Sequence, residues 1–266
     1  MGCSIHFKNI IQGENMIVSY ESNSGHWYKA NGEPFYTIIG ANGKERATRV
    51  TDARKLGLLP SVTTVIGLLD KPGLQRWVQE QVLLASLTLP RKENEPEADW
   101  LKRVIEDSRS VGKDARNRGT NMHNVLELYF NQVYMPEYPS YTYRTEKSLR
   151  EHFGDQFWIT EESFAHPLGY AGKCDLHSKE GIVVDFKTKE SLKNAAVYDE
   201  HILQLIAYAY GLNMPTARCA IVYVSEDETQ IHEISQEDLQ KGWKMFQCLL
   251  VFFRLKNGLE LSSLGE

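Results

Sequence analysis

The chain has 266 residues with a formal net charge of −5, and 42% of its residues are hydrophobic against 24% charged. That length supports one sizeable core, or one catalytic domain with a modest extension, and the composition excludes a disordered or fibrous chain. A net negative charge does not advertise a nucleic-acid binder, yet a local basic surface or bound cations can still attract phosphate, so charge decides nothing between those classes.

In chain order, Met1-Gly2-Cys3-Ser4-Ile5-His6 lacks the basic-then-apolar pattern of a secretory signal, and His6 stands where a myristoylation motif wants Ser or Thr. Trp27-Tyr28 and Phe35 to Ile39 read as strands, with turns at Asn31-Gly32 and Asn42-Gly43. Residues 1–60 are therefore expected to form a β-rich extension packed on a core of residues 61–266. In Pro60-Ser61-Val62-Thr63, Ser61 or Thr63 is placed to cap a short helix. A break at Lys71-Pro72-Gly73 precedes a helix over 74–87, and Pro90 to Asp99 reads as a surface loop. Helices follow at 100–110 and 111–131, which the pattern also allows to be fused, and another at 145–153.

From Phe157 the period shifts towards two, predicting strands at 157–165, 170–177 and 181–187. A helix over 199–212, strands at 217–224 and 230–234, and an amphipathic helix over 236–253 complete the chain. The order helix, three strands, helix, strand predicts an α/β layer domain with a mixed central sheet. No apolar run is long enough to cross a bilayer, so no membrane association is expected. The cysteines Cys3, Cys174, Cys219 and Cys248 form no C-x-x-C pair, which argues against a zinc ribbon or an iron–sulfur cluster and for reduced thiols in a cytosol-like compartment.

Chemistry concentrates between Gly169 and Thr188. If the hairpin is centred on Glu180, Asp175 falls directly across from Asp185. Opposed carboxylates repel, and a hard divalent cation or a shared proton is the physical remedy. Lys187, two residues beyond Asp185, is expected on the same side of its strand. A structural Asp185–Lys187 ion pair at a sheet end is the plain alternative. His123 and Glu127 share a helix face and can reach a metal held by the hairpin, although such a pair is also an ordinary surface contact. Arg109, Lys113, Arg116 and Arg118 make either a phosphate-contacting stripe or a solvated helix face. Gln204 and Tyr208 are one turn apart on a helix packed against the sheet.

Taken in order, Gly119…His123…Glu127, Gly172…Asp175, Asp185-Phe186-Lys187 and Gln204…Tyr208 resemble the motifs of the RecB-type branch of the PD-(D/E)XK nuclease superfamily. Pro60-Ser61-Val62-Thr63 followed by Trp77 is similar to the group that includes the mitochondrial genome maintenance exonuclease and bacteriophage exonucleases. The resemblance implies a restriction-endonuclease-like αβββαβ core. It also implies one or two Mg²⁺ or Mn²⁺ ions on Asp175, Asp185, His123 and the Phe186 backbone carbonyl, with Glu127 as support or occasional ligand, and no iron–sulfur cluster. Lys187 would act on the attacking water and the phosphate. Ser61, Thr63, Arg116, Arg118 and Thr188 would serve substrate binding, and Gln204 and Tyr208 would position substrate or Lys187. The implied activity is a DNA exonuclease working on ends or single strands in recombination, repair or genome processing, in the cytoplasm of a bacterial or phage-infected cell. An endonuclease of the same fold, or a nuclease-like module that only binds DNA, is the alternative.

Overall fold

The computed structural model describes residues 25–259, so the readings of Gly2, Cys3 and His6 lie outside the described residues. Strand β1 (Trp27–Tyr28) leads through the Asn31-Gly32 turn to β2 (Thr37–Ile39), which pairs with β3 (Glu45–Ala47) across Asn42-Gly43. Gly32 and Gly43 take φ of 85° and 72°, the left-handed backbone that explains glycine at both turns. Next comes a short helix α1 (Val50–Leu56), in a region whose sequence pattern predicts only strands. Asp52 starts it, accepting from the Arg49 N–H at 2.9 Å and from both terminal nitrogens of Arg46 at 2.6 and 2.8 Å. Gly57, left-handed at φ 64°, stops it.

Strand β4 (Leu59–Pro60) pairs with β1, and α2 (Val62–Ile66) follows at once. Helix α3 (Pro72–Thr88) places its proline in the first turn, where no N–H is missed. Helix α4 (Glu97–Phe130) is one continuous rod of 34 residues, the fused form of the two predicted segments. Helix α5 (Ser140–Phe153) starts a turn earlier than its apolar periodicity suggests, because Pro139 supplies its N-cap position.

The core is β5 (Trp158–His166), β6 (Tyr170–Ser178), β7 (Ile182–Thr188), α6 (Asp199–Gly211), β8 (Arg218–Val224), β9 (Thr229–Ile234) and α7 (Gln236–Asn257). Its five strands lie in chain order β5-β6-β7-β8-β9, with β7 and β8 parallel across the α6 connection and every other pair antiparallel. The fold is therefore the expected mixed α/β sheet flanked by helices, with small strand pairs at the N-terminal side. Helices α2, α6 and α7 cover one face, with Val183, Ile221, Leu205 and Phe246 among the buried side chains. Helices α4 and α5 cover the other, over Ile182, Val184, Phe186 and Val222. Strict alternation along β7 sends Phe186 into the second core and turns Asp185 and Lys187 the other way, towards α6.

Strands β5 and β6 do not keep that alternation throughout. Trp158 and Leu176 pack on the α4–α5 side, whereas Phe164 and Cys174, of the same parity, pack on the α6–α7 side. The changeover falls between Thr160↔Leu176 and Glu162↔Cys174, where the ladder skips Glu161 and Asp175. Glu161 there holds a left-handed backbone at φ 52°, a strained choice for a residue with a side chain. Beyond this point β6 no longer pairs with β7, and its Ala171 forms a parallel bridge to Ser61 instead. The segment at Ser61, just after β4, thus docks on the strand that carries Asp175.

Gly172 is tightly packed near this changeover. A Cβ there would stand 2.8 Å from Cζ of Phe164 and 3.0 Å from Cε1 of Tyr208. Gly172→Ala is therefore expected to destabilise the fold by about 1–3 kcal/mol through overpacking. A urea midpoint unchanged from the parent would show that the two rings move aside freely.

Candidate active site

The register around Glu180 is the one its sequence symmetry predicts: Leu176 pairs with Val184, His177 with Val183 and Ser178 with Ile182. The ladder ends one step short of Asp175 and Asp185. Instead of continuing the pairing, the Asp175 carboxylate crosses to β7, where its Oδ2 accepts from the Phe186 backbone N–H at 2.9 Å. Asp175 and Asp185 therefore meet at a fork between two strands. Burial, followed by the negative charge of Asp185, raises the Asp175 carboxyl well above the usual carboxylate range.

Asp185 is only 1% exposed and is held on both oxygens. Its Oδ1 accepts from Gln204 Nε2 at 2.6 Å, and its Oδ2 lies 2.6 Å from Lys187 Nζ. Gln204 also accepts from Lys187 Nζ at 3.1 Å and donates to the Tyr208 hydroxyl at 3.0 Å. The amide can face only one way here, because the carboxylate needs its NH₂ and the ammonium needs its oxygen. Burial works against the Lys187 charge, but Asp185 and Asp175 outweigh it and hold the ammonium above its ordinary range. His201, one turn before Gln204, is pushed down to about 4 by burial and then by the Lys187 charge, so it stays neutral.

His123 reaches the fork from α4, with Nδ1 3.5 Å from Asp175 Oδ2. Burial lowers its imidazole, while the Asp185 charge and a hydrogen bond with the Phe186 backbone act in the opposite direction. Its ring meets Phe186 edge-on at 6.3 Å. Gly119 makes this approach of α4 to β7 feasible: a Cβ there would stand 2.8 Å from Thr188 Oγ1. Among the described residues, no three His, Cys, Asp or Glu side chains converge closely enough to cage an ion by themselves. The donors that do meet at the fork are Asp175, Asp185, His123 and the Phe186 main chain.

The remaining sequence candidates lie as follows. Gln204 and Tyr208, expected from the resemblance to position either substrate or Lys187, are 7% and 4% exposed and turn inwards, Gln204 to Asp185 and Lys187 and Tyr208 to Gln204. Ser61, 3% exposed, spends its hydroxyl capping α2, accepting from Thr64 N–H at 2.9 Å, while Thr63 is exposed. Arg116 and Arg118 are exposed on α4, the latter 3.9 Å from Glu190, and Thr188 ends β7. Glu127 lies towards Lys173, on which its charge acts. The sequence reading did not include Glu161 and Lys173, which form an ion pair beside Asp175. An acid and a base in neighbouring strands carry no motif of their own, and only the β5–β6 register brings them together. Of the described cysteines, Cys174 and Cys219 are buried and Cys248 is exposed, and all three are free.

No family model matches the chain, and no curated protein matches it. Among solved structures it is similar to an alkaline exonuclease from Laribacter hongkongensis, at 13% identity over 74% of this chain and 92% of that one, with a TM-score of 0.33. A structure of LHK-Exo in complex with dAMP matches at 14% identity over 74% and 87%, with a TM-score of 0.35. Scores this low carry no argument about activity, and the functional reading rests on the fork itself.

The raised Asp175 carboxyl has a consequence for stability. Its folded value lies above the unfolded value of about 3.9, so its contribution is fully present below that pH and is lost as pH rises through the folded value. Ionising Asp175 in the folded protein is costly, and the cost weighs on stability at every pH above the unfolded value. Asp175→Asn should therefore melt higher than the parent in EDTA at pH 7.5 and show a smaller gain on adding Mn²⁺. A lower melting temperature in EDTA, with the Mn²⁺ gain intact, would contradict this account.

Proposed function

We propose that the protein is a metal-dependent deoxyribonuclease, and that it acts as an exonuclease on DNA ends or single strands. The observation that carries this reading is the fork: two carboxylates of adjacent strands meet where their ladder opens, with a charged lysine clamped beside them. A purely structural ion pair needs one acid and one base. Here a second acid, Asp175, is kept half-buried beside Asp185 at a cost, and such a cost signals chemistry or a bound cation.

The donor set fits a hard divalent cation such as Mg²⁺ or Mn²⁺, since carboxylate and carbonyl oxygens with one imidazole suit those ions. Asp175, Asp185, the Phe186 carbonyl and His123 would hold it. When bound, it would supply Lewis acidity and a hydroxide source at neutral pH. Lys187, kept charged by both carboxylates, is poorly suited to accept a proton. It instead orients the attacking water and offsets the charge that grows on the phosphate as the P–O bond to the leaving oxygen breaks. Gln204 holds Lys187 and Asp185 at one spacing, and Tyr208 holds Gln204, which makes both positioning residues. The exposed Arg116 and Arg118 would meet phosphates farther along the strand. Recombination, repair or genome processing are the settings in which such an activity is used. Among the described residues, no helix is long and apolar enough to cross a membrane.

The test is cleavage of end-labelled linear and closed circular DNA, single- and double-stranded, with Mg²⁺, Mn²⁺ or EDTA. Metal-dependent loss of linear DNA alone is expected, reduced at least a hundredfold, on the order of the loss of one transition-state electrostatic contact, in Lys187→Ala and in Asp185→Ala. Cutting of circles would make the protein an endonuclease. DNA binding without cleavage under any condition would leave a binding module.

A further inference from the structure

The docked extension brings an aromatic pair to the approach of the fork. His26 and Tyr36 stack with ring centroids 4.7 Å apart and planes 30° apart, and both are exposed, Tyr36 to 36%. Exposed rings usually tumble, but these are pinned. The Tyr36 hydroxyl bonds that of the buried Tyr28 at 2.6 Å, and Tyr28 meets Tyr36 edge-on at 5.6 Å. The His26 backbone donates to Thr64 Oγ1 and accepts from the Ser61 N–H, both at 2.9 Å. Neighbouring Trp27 is fully buried, so the segment that presents the pair is anchored in the core.

The pair is also tied to the fork through charge. Lys173, two residues before Asp175 on β6, is ion-paired with Glu161. Its ammonium lies within electrostatic reach of both the His26 ring and the Tyr36 hydroxyl, while Glu161 acts on Asp175 and on Tyr28. A fixed pair of flat rings thus lies within electrostatic reach of a half-exposed cation that stands two residues from Asp175 on β6. A polyanionic strand with exposed bases matches that sequence of groups, because bases stack on aromatic faces and phosphates seek the ammonium. A duplex end offers the rings only the outer face of its terminal pair, whereas an unpaired strand offers the face of each base.

We propose that His26 and Tyr36 form a stacking subsite for an unpaired base of single-stranded DNA, with Lys173 leaving Glu161 to hold the adjoining phosphate. This rests on the nuclease reading and narrows its substrate to a single strand near the site of reaction. It also gives the N-terminal strands a function beyond packing.

The experiment uses the full chain with Ca²⁺ replacing Mg²⁺, and single-stranded oligonucleotides carrying 2-aminopurine at successive positions from either end. Binding should quench the probe at one position. His26→Ala keeps every backbone hydrogen bond of the residue, and Tyr36→Phe keeps the ring. Tyr36→Ala and His26→Ala should relieve that quench and weaken binding about tenfold, within the range for one lost base–aromatic stack, while Tyr36→Phe keeps both. Lys173→Gln should weaken binding and flatten its salt dependence while leaving the quench in place. Wild-type quenching and affinity in both alanine variants would overturn the subsite while DNA binding stands. A parent protein that binds no oligonucleotide would overturn the nuclease reading and the subsite with it.

Discussion

The repulsion between Asp175 and Asp185 shapes this molecule more than any other single interaction. Two strands joined by a tight turn would ordinarily go on pairing, and the register from Ser178↔Ile182 to Leu176↔Val184 shows that they begin to. At the next step the ladder opens, and one carboxylate turns to cap the opposite main chain. The opening frees an edge of β6, and the segment at Ser61 occupies it at Ala171. On the other side of β6, the ladder to β5 is interrupted at the same level, with Glu161 in a left-handed conformation. A gap in a sheet is normally a defect. Here it is where three segments of the chain converge.

Buried polar groups hold that gap open. Asp185, Gln204 and Tyr208 lie in a core otherwise made of Leu205, Ile206, Val183 and Ile221, joined by the Gln204 amide, while the second Asp185 oxygen is held by its ion pair with Lys187 alone. Lys187 completes the set by reaching in from a partly exposed position. Such a network is costly to break at any point, which fixes the spacing of the ammonium and the carboxylate far better than either side chain alone could.

Much of this was legible in the sequence, and the reasons differ from part to part. The hairpin register followed from symmetry about Glu180, since a period of two leaves no freedom once the turn is placed. The mixed character of the sheet followed from three strands, a helix and a further strand in succession, whereas the order of its strands is read from the structure. Other features were hidden because they depend on contacts between distant segments. The strand-like opening conceals α1, whose start depends on Arg46 and Asp52 meeting across a turn. Ser61 reads from sequence both as a helix cap and as a substrate contact, and Gln204 as positioning either substrate or Lys187; their burial favours the cap and the contact to Lys187. Glu161 looks like any strand residue until its backbone angle is known.

The β7–β8 pairing has a bearing on how the chain reaches its native state. The hairpin that brings Asp175 and Asp185 together spans few residues and can close early. The groups that restrain Asp185 come from α6, inside the crossover to a parallel strand, and parallel pairing through a long connection is slow to form. For part of its folding time the chain therefore carries two opposed acids without the amide that steadies them. That interval ends when α6 settles onto the sheet and the Gln204 amide reaches Asp185.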